Sequence, residues 1–186
     1  MKFIRKNWGN ILFVIVLALL LIPQTRMFIQ VPLQRLLSIS PSELSEEERI
    51  MIEEYRWQLE DSKGSPIQFE EAKGEVVVLN FWATWCPPCV AEMPSLQALY
   101  DSFGDQVEFY FVTSEDTTVV ARFMEKNDYN LPIYFQKYRA PKQLQVTSLP
   151  TTFIISKEGT IVVKKTGAAD WNSDRIHDIV KQLLKY

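Results

Sequence analysis

Hydrophobic and polar positions fall into distinct regimes along the chain. The first is continuous: residues 11–22, ILFVIVLALLLI, are apolar without a break and follow Trp8 and Gly9. Residues 27–37 are apolar but interrupted by Gln30, Pro32 and Arg35, and Pro41 closes the stretch. Ser45 and Glu48 form a capping-box pattern, with Glu46 and Glu47 suited to a first turn, so a short helix is expected over 46–53. From residue 55 the pattern shortens. Tyr55, Trp57 and Leu59 alternate with polar residues, which is strand period, and a turn at 61–64 returns the chain at 66–69 as a hairpin. Residues 76–81 and 107–112 read as buried strands. Met93, Leu96, Leu99, Tyr100 and Phe103 recur at helical spacing, as do Val120, Phe123 and Met124 over 117–126. A short strand at 133–135, a hairpin of 152–155 with 160–163, and a helix over 172–184 complete the order. That order predicts an α/β domain with a mixed central sheet covered on both faces.

Charge changes the reading of the first regime. Lys2, Arg5 and Lys6 precede the apolar run, and no acidic residue occurs before residue 41. Basic residues ahead of an apolar segment are the arrangement of a membrane helix with its N-terminus inside. No small-residue cleavage site follows Ile22, and the segment holds no Cys for lipidation, so an uncleaved anchor is expected ahead of a cleaved signal. The boundaries are then 1–25 for the anchor, 26–54 for a linker and short helix, and 55–186 for the folded domain. Residues 27–37 are expected as a linker resting on the membrane or the domain. The expected location is single-pass in the cytoplasmic or inner membrane, the catalytic domain facing the periplasm or cell exterior, where disulfides persist.

Composition narrows the chemistry. The 186 residues carry 20 Lys and Arg against 23 Asp and Glu, net −3, and residues 41–186 carry −8. A nucleic-acid surface should be basic, so none is expected. Two Cys and one His exclude a multi-Cys/His metal cage, and no metal is expected. The two Cys, Cys86 and Cys89, lie between a buried strand and an amphipathic helix. Cys86 at a helix start gains thiolate stability from unpaired N–H groups and the helix dipole. Pro88 fits the first helical positions, where a missing N–H costs little. Cys89, one turn in, is expected to be more covered. Cys86 then exchanges with the substrate, and Cys89 resolves the mixed disulfide. His177, on the last helix, is expected at the surface.

Residues 80–89, NFWATWCPPC, followed by Glu92, Met93 and Pro94, and by Leu149, Pro150 and Phe153, resemble the membrane-anchored thioredoxin-like proteins of the TlpA/ResA group. Gly159, Gly167 and Trp171 also fit, and the resemblance covers about residues 55–186. It implies a thioredoxin fold with an N-terminal hairpin and a central insertion. It implies extracytoplasmic reduction of protein disulfides, those of apocytochrome c among them, with electrons from a membrane thiol-disulfide carrier and no cofactor. It also implies that Pro150 is a cis-proline facing the dithiol, that Leu149 meets the substrate through its backbone, and that Glu92 is an active-site acid. Trp85, with Pro87 and Pro88, is expected on the contact surface, and Trp82 in the core. Asn80 stands where cytosolic thioredoxins carry a buried Asp, and an Asn cannot act as the base. A monomer is expected. The alternatives are an oxidant or isomerase of the same fold, a peroxidase, a copper-binding module, or a non-catalytic module. A peroxidase site needs a Thr-x-x-Cys arrangement with a nearby Pro and Arg, whereas this chain has Trp85-Cys86-Pro87-Pro88-Cys89.

Overall fold

The computed structural model describes residues 7–21 and 23–185. Thirteen regular elements follow one another: α1 (Trp8–Leu21), α2 (Pro23–Leu37), β1 (Ile50–Met51), β2 (Gln58–Glu60), β3 (Pro66–Gln68), β4 (Val77–Phe81), α3 (Pro87–Phe103), β5 (Glu108–Thr113), α4 (Thr117–Asn127), β6 (Ile133–Gln136), β7 (Thr151–Ile155), β8 (Thr160–Thr166) and α5 (Asp174–Lys185). The strands form one sheet in the order β1-β8-β7-β4-β5-β6-β2-β3. β4, β5 and β6 are parallel, and the remaining pairs are antiparallel. Together β4-α3-β5 and β7-β8-α5 make a thioredoxin-like fold, with α4 and β6 between them and the β2–β3 hairpin on the far edge.

Strand alternation divides the core in two. Val78, Phe109, Phe111 and Ile154 face one way and pack with Met93, Leu96 and Leu99 of α3, Val120 of α4, and Ile176 and Val180 of α5. Val77, Leu79, Phe81, Tyr110 and Phe153 face the other way. No α-helix contributes to that second face among the described residues. Trp57, Leu59 and Phe69 from the hairpin region fill it, with Ile52, Tyr55 and Leu144. Phe69 contacts both Trp57 and Tyr110 edge to face, at 5.5 and 5.0 Å between centroids.

Two expectations about the N-terminal region are corrected. No described helix is long and apolar enough to cross a membrane. The apolar run forms α1, whose 14 residues span about 21 Å at 1.5 Å per residue. A hydrocarbon core is about 30 Å thick. The stretch described from Pro23, α2, is too polar to extend the span, with Gln24, Arg26, Gln30, Gln34 and Arg35 along it. The anchor, the single-pass location and the membrane as a partner therefore fall away. Lys2, Arg5 and Lys6 lie outside the described residues. The second correction is local. Only Glu46–Glu48 turns, as a 3₁₀ helix, in place of a helix over 46–53. Ile50 and Met51 pair with β8 instead, and Leu44 N–H donates to Val162 O at 2.8 Å.

Candidate active site

The site grows from the end of β4. Asn80 points to the helical face of the sheet, opposite Thr152 of β7. After Phe81 the chain leaves the sheet through a loop, residues 82–85, and enters α3 at Cys86. Cys86 is the N-cap, and Pro87 and Pro88 occupy the first two helical positions. Prolines there remove two N–H groups that would have lacked partners. The next donor, Cys89 N–H, points to Cys86 Sγ at 3.3 Å. Cys86 and Cys89 form a disulfide with Cα atoms 5.2 Å apart. Both residues are buried, at 4% and 1% exposure, so Cys86 is only slightly the more open in this oxidised state. In the reduced form, the Cys89 N–H and the helix dipole favour a thiolate on Cys86.

Glu92 lies one turn beyond Cys89 and is fully enclosed. Its Oε1 accepts from Asn80 Nδ2 at 2.9 Å. Its Oε2 accepts from Trp171 Nε1 at 2.9 Å and Ala169 N at 3.2 Å. Burial nonetheless outweighs these three bonds and pushes the carboxyl up to about 8, so it is mostly protonated at neutral pH. Asn80 also donates to Thr152 Oγ1 at 2.7 Å, and its own Oδ1 has no partner among the described residues.

On the β7 side the Leu149–Pro150 peptide is cis. Pro150 O accepts from Gly167 N at 2.9 Å. No backbone hydrogen bond engages Leu149 within the described chain. Trp85 is 68% exposed, whereas Trp82 is buried against Phe123. The loop between them is held from a distance. Glu115, after β5, accepts from Thr84 Oγ1 at 2.7 Å and from Thr84 N–H at 2.5 Å.

Cys86, Cys89, Glu92, Trp85, Pro87, Pro88, Leu149 and Pro150 thus gather at one end of the sheet. A cleft of about 310 Å³ is lined by Trp85 and Leu149 among others. His177 is elsewhere, half-buried on α5, bonded to Asn172 and edge-on to Phe103. Among the described residues no cluster of His, Cys, Asp and Glu has metal-binding geometry. Sequence reasoning missed Thr152 as a member of the network and Glu115 as the clamp on the loop. Neither stands near the CxxC in sequence, and only strand register brings them to it.

A disulfide closing the first turn of a helix on a thioredoxin-like sheet is the arrangement that thiol-disulfide exchange uses, and the Cys86–Cys89 pair supports such redox chemistry. The chain belongs to the AhpC/TSA family, whose profile matches residues 54–164. It is 38% identical over 123 residues to the thiol-disulfide oxidoreductase ResA of Bacillus subtilis, covering 64% of this chain and 68% of that protein. Against ResA of Halalkalibacterium halodurans it is 38% identical over 112 residues, 59% of this chain and 64% of that protein. The chain thus spans a little under two thirds of that second relative. Among solved structures, the pneumococcal exposed lipoprotein thioredoxin Etrx1 of Streptococcus pneumoniae is similar with a TM-score of 0.55 and 28% identity, over 68% of this chain and 98% of that one. A DsbF homologue from Corynebacterium diphtheriae shares the fold, with a TM-score of 0.59 at 18% identity over 79% and 93% of the two chains.

Proposed function

We propose that the protein reduces disulfides of other proteins, with Cys86 as the attacking thiol, Cys89 as the resolving thiol and Glu92 as the proton acceptor. The observation that carries this reading is the buried carboxyl one turn behind the helix-capping dithiol. The Cys86 thiolate attacks one sulfur of the substrate disulfide. A mixed disulfide forms, and the other substrate sulfur leaves as a thiolate and takes up a proton. Cys89 gives its proton to the Glu92 carboxylate and attacks Cys86 Sγ. The Cys86–Cys89 disulfide forms, and the second substrate sulfur leaves as a thiolate and takes up a proton. Two electrons pass to the substrate, and an external dithiol must restore the reduced protein.

In this reading the unbonded backbone of Leu149, beside cis-Pro150, pairs transiently with the extended substrate chain, and Trp85 covers the reacting sulfurs. The similarity to thiol-disulfide oxidoreductases of the ResA type supports the same reaction class. The test is stoichiometric. Protein reduced and freed of excess reductant is mixed with a disulfide-bonded protein, and thiols are counted on both. Two thiols gained by the substrate for each Cys86–Cys89 pair oxidised is the expected result. A dithiol that stays reduced beside an accessible protein disulfide would refute it.

A further inference from the structure

The carboxyl ends of β4, β5 and β6 form the rim beside the disulfide, the place where open α/β sheets take ligands. Two clefts adjoin there. One, of about 310 Å³, opens at Trp85 and Leu149. The other, of about 330 Å³, ends at Arg139 and Gln145. Phe81, Gln136 and Val146 line both, so the two make one groove leading away from the dithiol.

The charges along this groove are unequal in their engagement. Glu115, near the disulfide, has both carboxylate oxygens occupied by Thr84. Gln136 donates to Ser114 Oγ and Gln145 to Ala140 O. Lys137, close by in sequence, is held by Glu60 at 2.6 Å. Arg139 at the far end is exposed and makes no ion pair or side-chain hydrogen bond among the described residues. An unpaired guanidinium at the end of a groove is complementary to a carboxylate, and it stands on a region whose net charge is −8.

We infer that this groove seats an extended segment of the protein substrate, and that Arg139 selects substrates carrying a carboxylate away from their reacting cysteine. The inference rests on the disulfide-reducing reading above. Apolar contact with Phe81 and Val146 supplies the general hold, and Arg139 supplies the discrimination. Because Arg139 is exposed, its effect is modest, about two- to fivefold in kcat/KM.

The test uses the full chain and synthetic peptides, each with one cysteine in a mixed disulfide with thionitrobenzoate. A single Glu, Gln or Lys is walked away from the cysteine on either side. The inference expects Glu to be preferred over Gln, and Gln over Lys, at one region of the peptide only. The preference should lie in KM and shrink at high salt. In Arg139→Glu the order should reverse. Peptides that rank equally at every position, or a ranking that Arg139→Glu leaves intact, would overturn it. Turnover of a small symmetrical disulfide by the unmodified protein separates the two readings. Such a molecule does not reach the far end of the groove. Failure there removes the disulfide-reducing reading itself, whereas success there with no peptide preference removes only the role of Arg139.

Discussion

Burial and hydrogen bonding pull the Glu92 carboxyl in opposite directions, and burial wins. Three donors reach its two oxygens, yet the acid is pushed up to about 8. A base with that value is poised for a thiol near neutral to mildly alkaline pH. Glu92→Gln should therefore slow reduction of a protein disulfide at pH 8 by about tenfold to a hundredfold. It should also remove the rise in rate that the unmodified protein shows as pH passes about 8. Stopped-flow rates across pH 6 to 9.5 read both effects. A profile identical in the two proteins would leave Glu92 a packing residue. Thr152→Val tests the support behind it: losing the hydroxyl leaves an Asn80 N–H unsatisfied and should cost about 1–3 kcal/mol in chemical denaturation. The CxxC pair and Glu92 were legible as residues from local spacing and resemblance. Thr152 was not, because it meets Asn80 only through antiparallel register across 72 residues of sequence.

At the scale of elements, the decisive join is the passage from β4 into α3. Pro87 and Pro88 fix the first turn, and Cys86 caps it with its own sulfur. The loop before it is tethered by Glu115, 31 residues away. Glu115→Ala should lower stability by about 1–2 kcal/mol, seen as a reduced denaturation midpoint with an unchanged slope. It should also slow exchange with protein disulfides, because Trp85 and Cys86 lose a fixed approach. An unchanged midpoint would mean that the tether contributes nothing. Most strands and helices were readable from periodicity, since Leu79, Met93, Leu96 and Phe111 each sit where their pattern puts them. The segment at 39–52 was not. Its Ser45–Glu48 cap is present, yet it opens only a 3₁₀ turn, because Leu44, Ile50 and Ile52 find backbone partners on or beside β8. Nor was α2 legible, since Pro32 inside it argues against a helix. Arg35 Nε reaches Ala91 O of α3 at 3.4 Å, so the helix is held partly by tertiary contact.

For the whole molecule, the buried acid makes stability depend on pH. The folded value of about 8 lies above the ordinary 4.5, so the native state holds a proton that the unfolded chain gives up. The contribution is complete below pH 4.5 and declines as pH rises toward 8. Its size is a few kcal/mol, on the order of 1.4 for each pH unit of that interval. Exposed carboxylates such as Glu54 and Asp116 are shifted downward, so their contributions are lost as pH falls below their ordinary values of 4.5 and 3.8. Measuring the unmodified protein against Glu92→Gln isolates the buried acid. The difference should favour the Gln variant progressively from pH 5 to 8. A pH-independent difference would contradict the burial argument. The apolar run at the N-terminus shows how far composition carries a whole-molecule reading. Its hydropathy was plain, but hydropathy alone does not give a span, and no described helix is long and apolar enough to cross a membrane.

Disulfide reduction at this site depends on a division of labour between Cys86 and Cys89. A Cys89→Ser variant, reduced and then exposed to a disulfide-bonded protein, has no resolving thiol. Mass spectrometry of the product should show one substrate chain attached through Cys86, while the Cys86→Ser variant under the same conditions captures none. Capture through Cys89 in the Cys86→Ser variant, with none through Cys86 in the other, would reverse the roles. It would also contradict the helix-capping sulfur as the origin of reactivity.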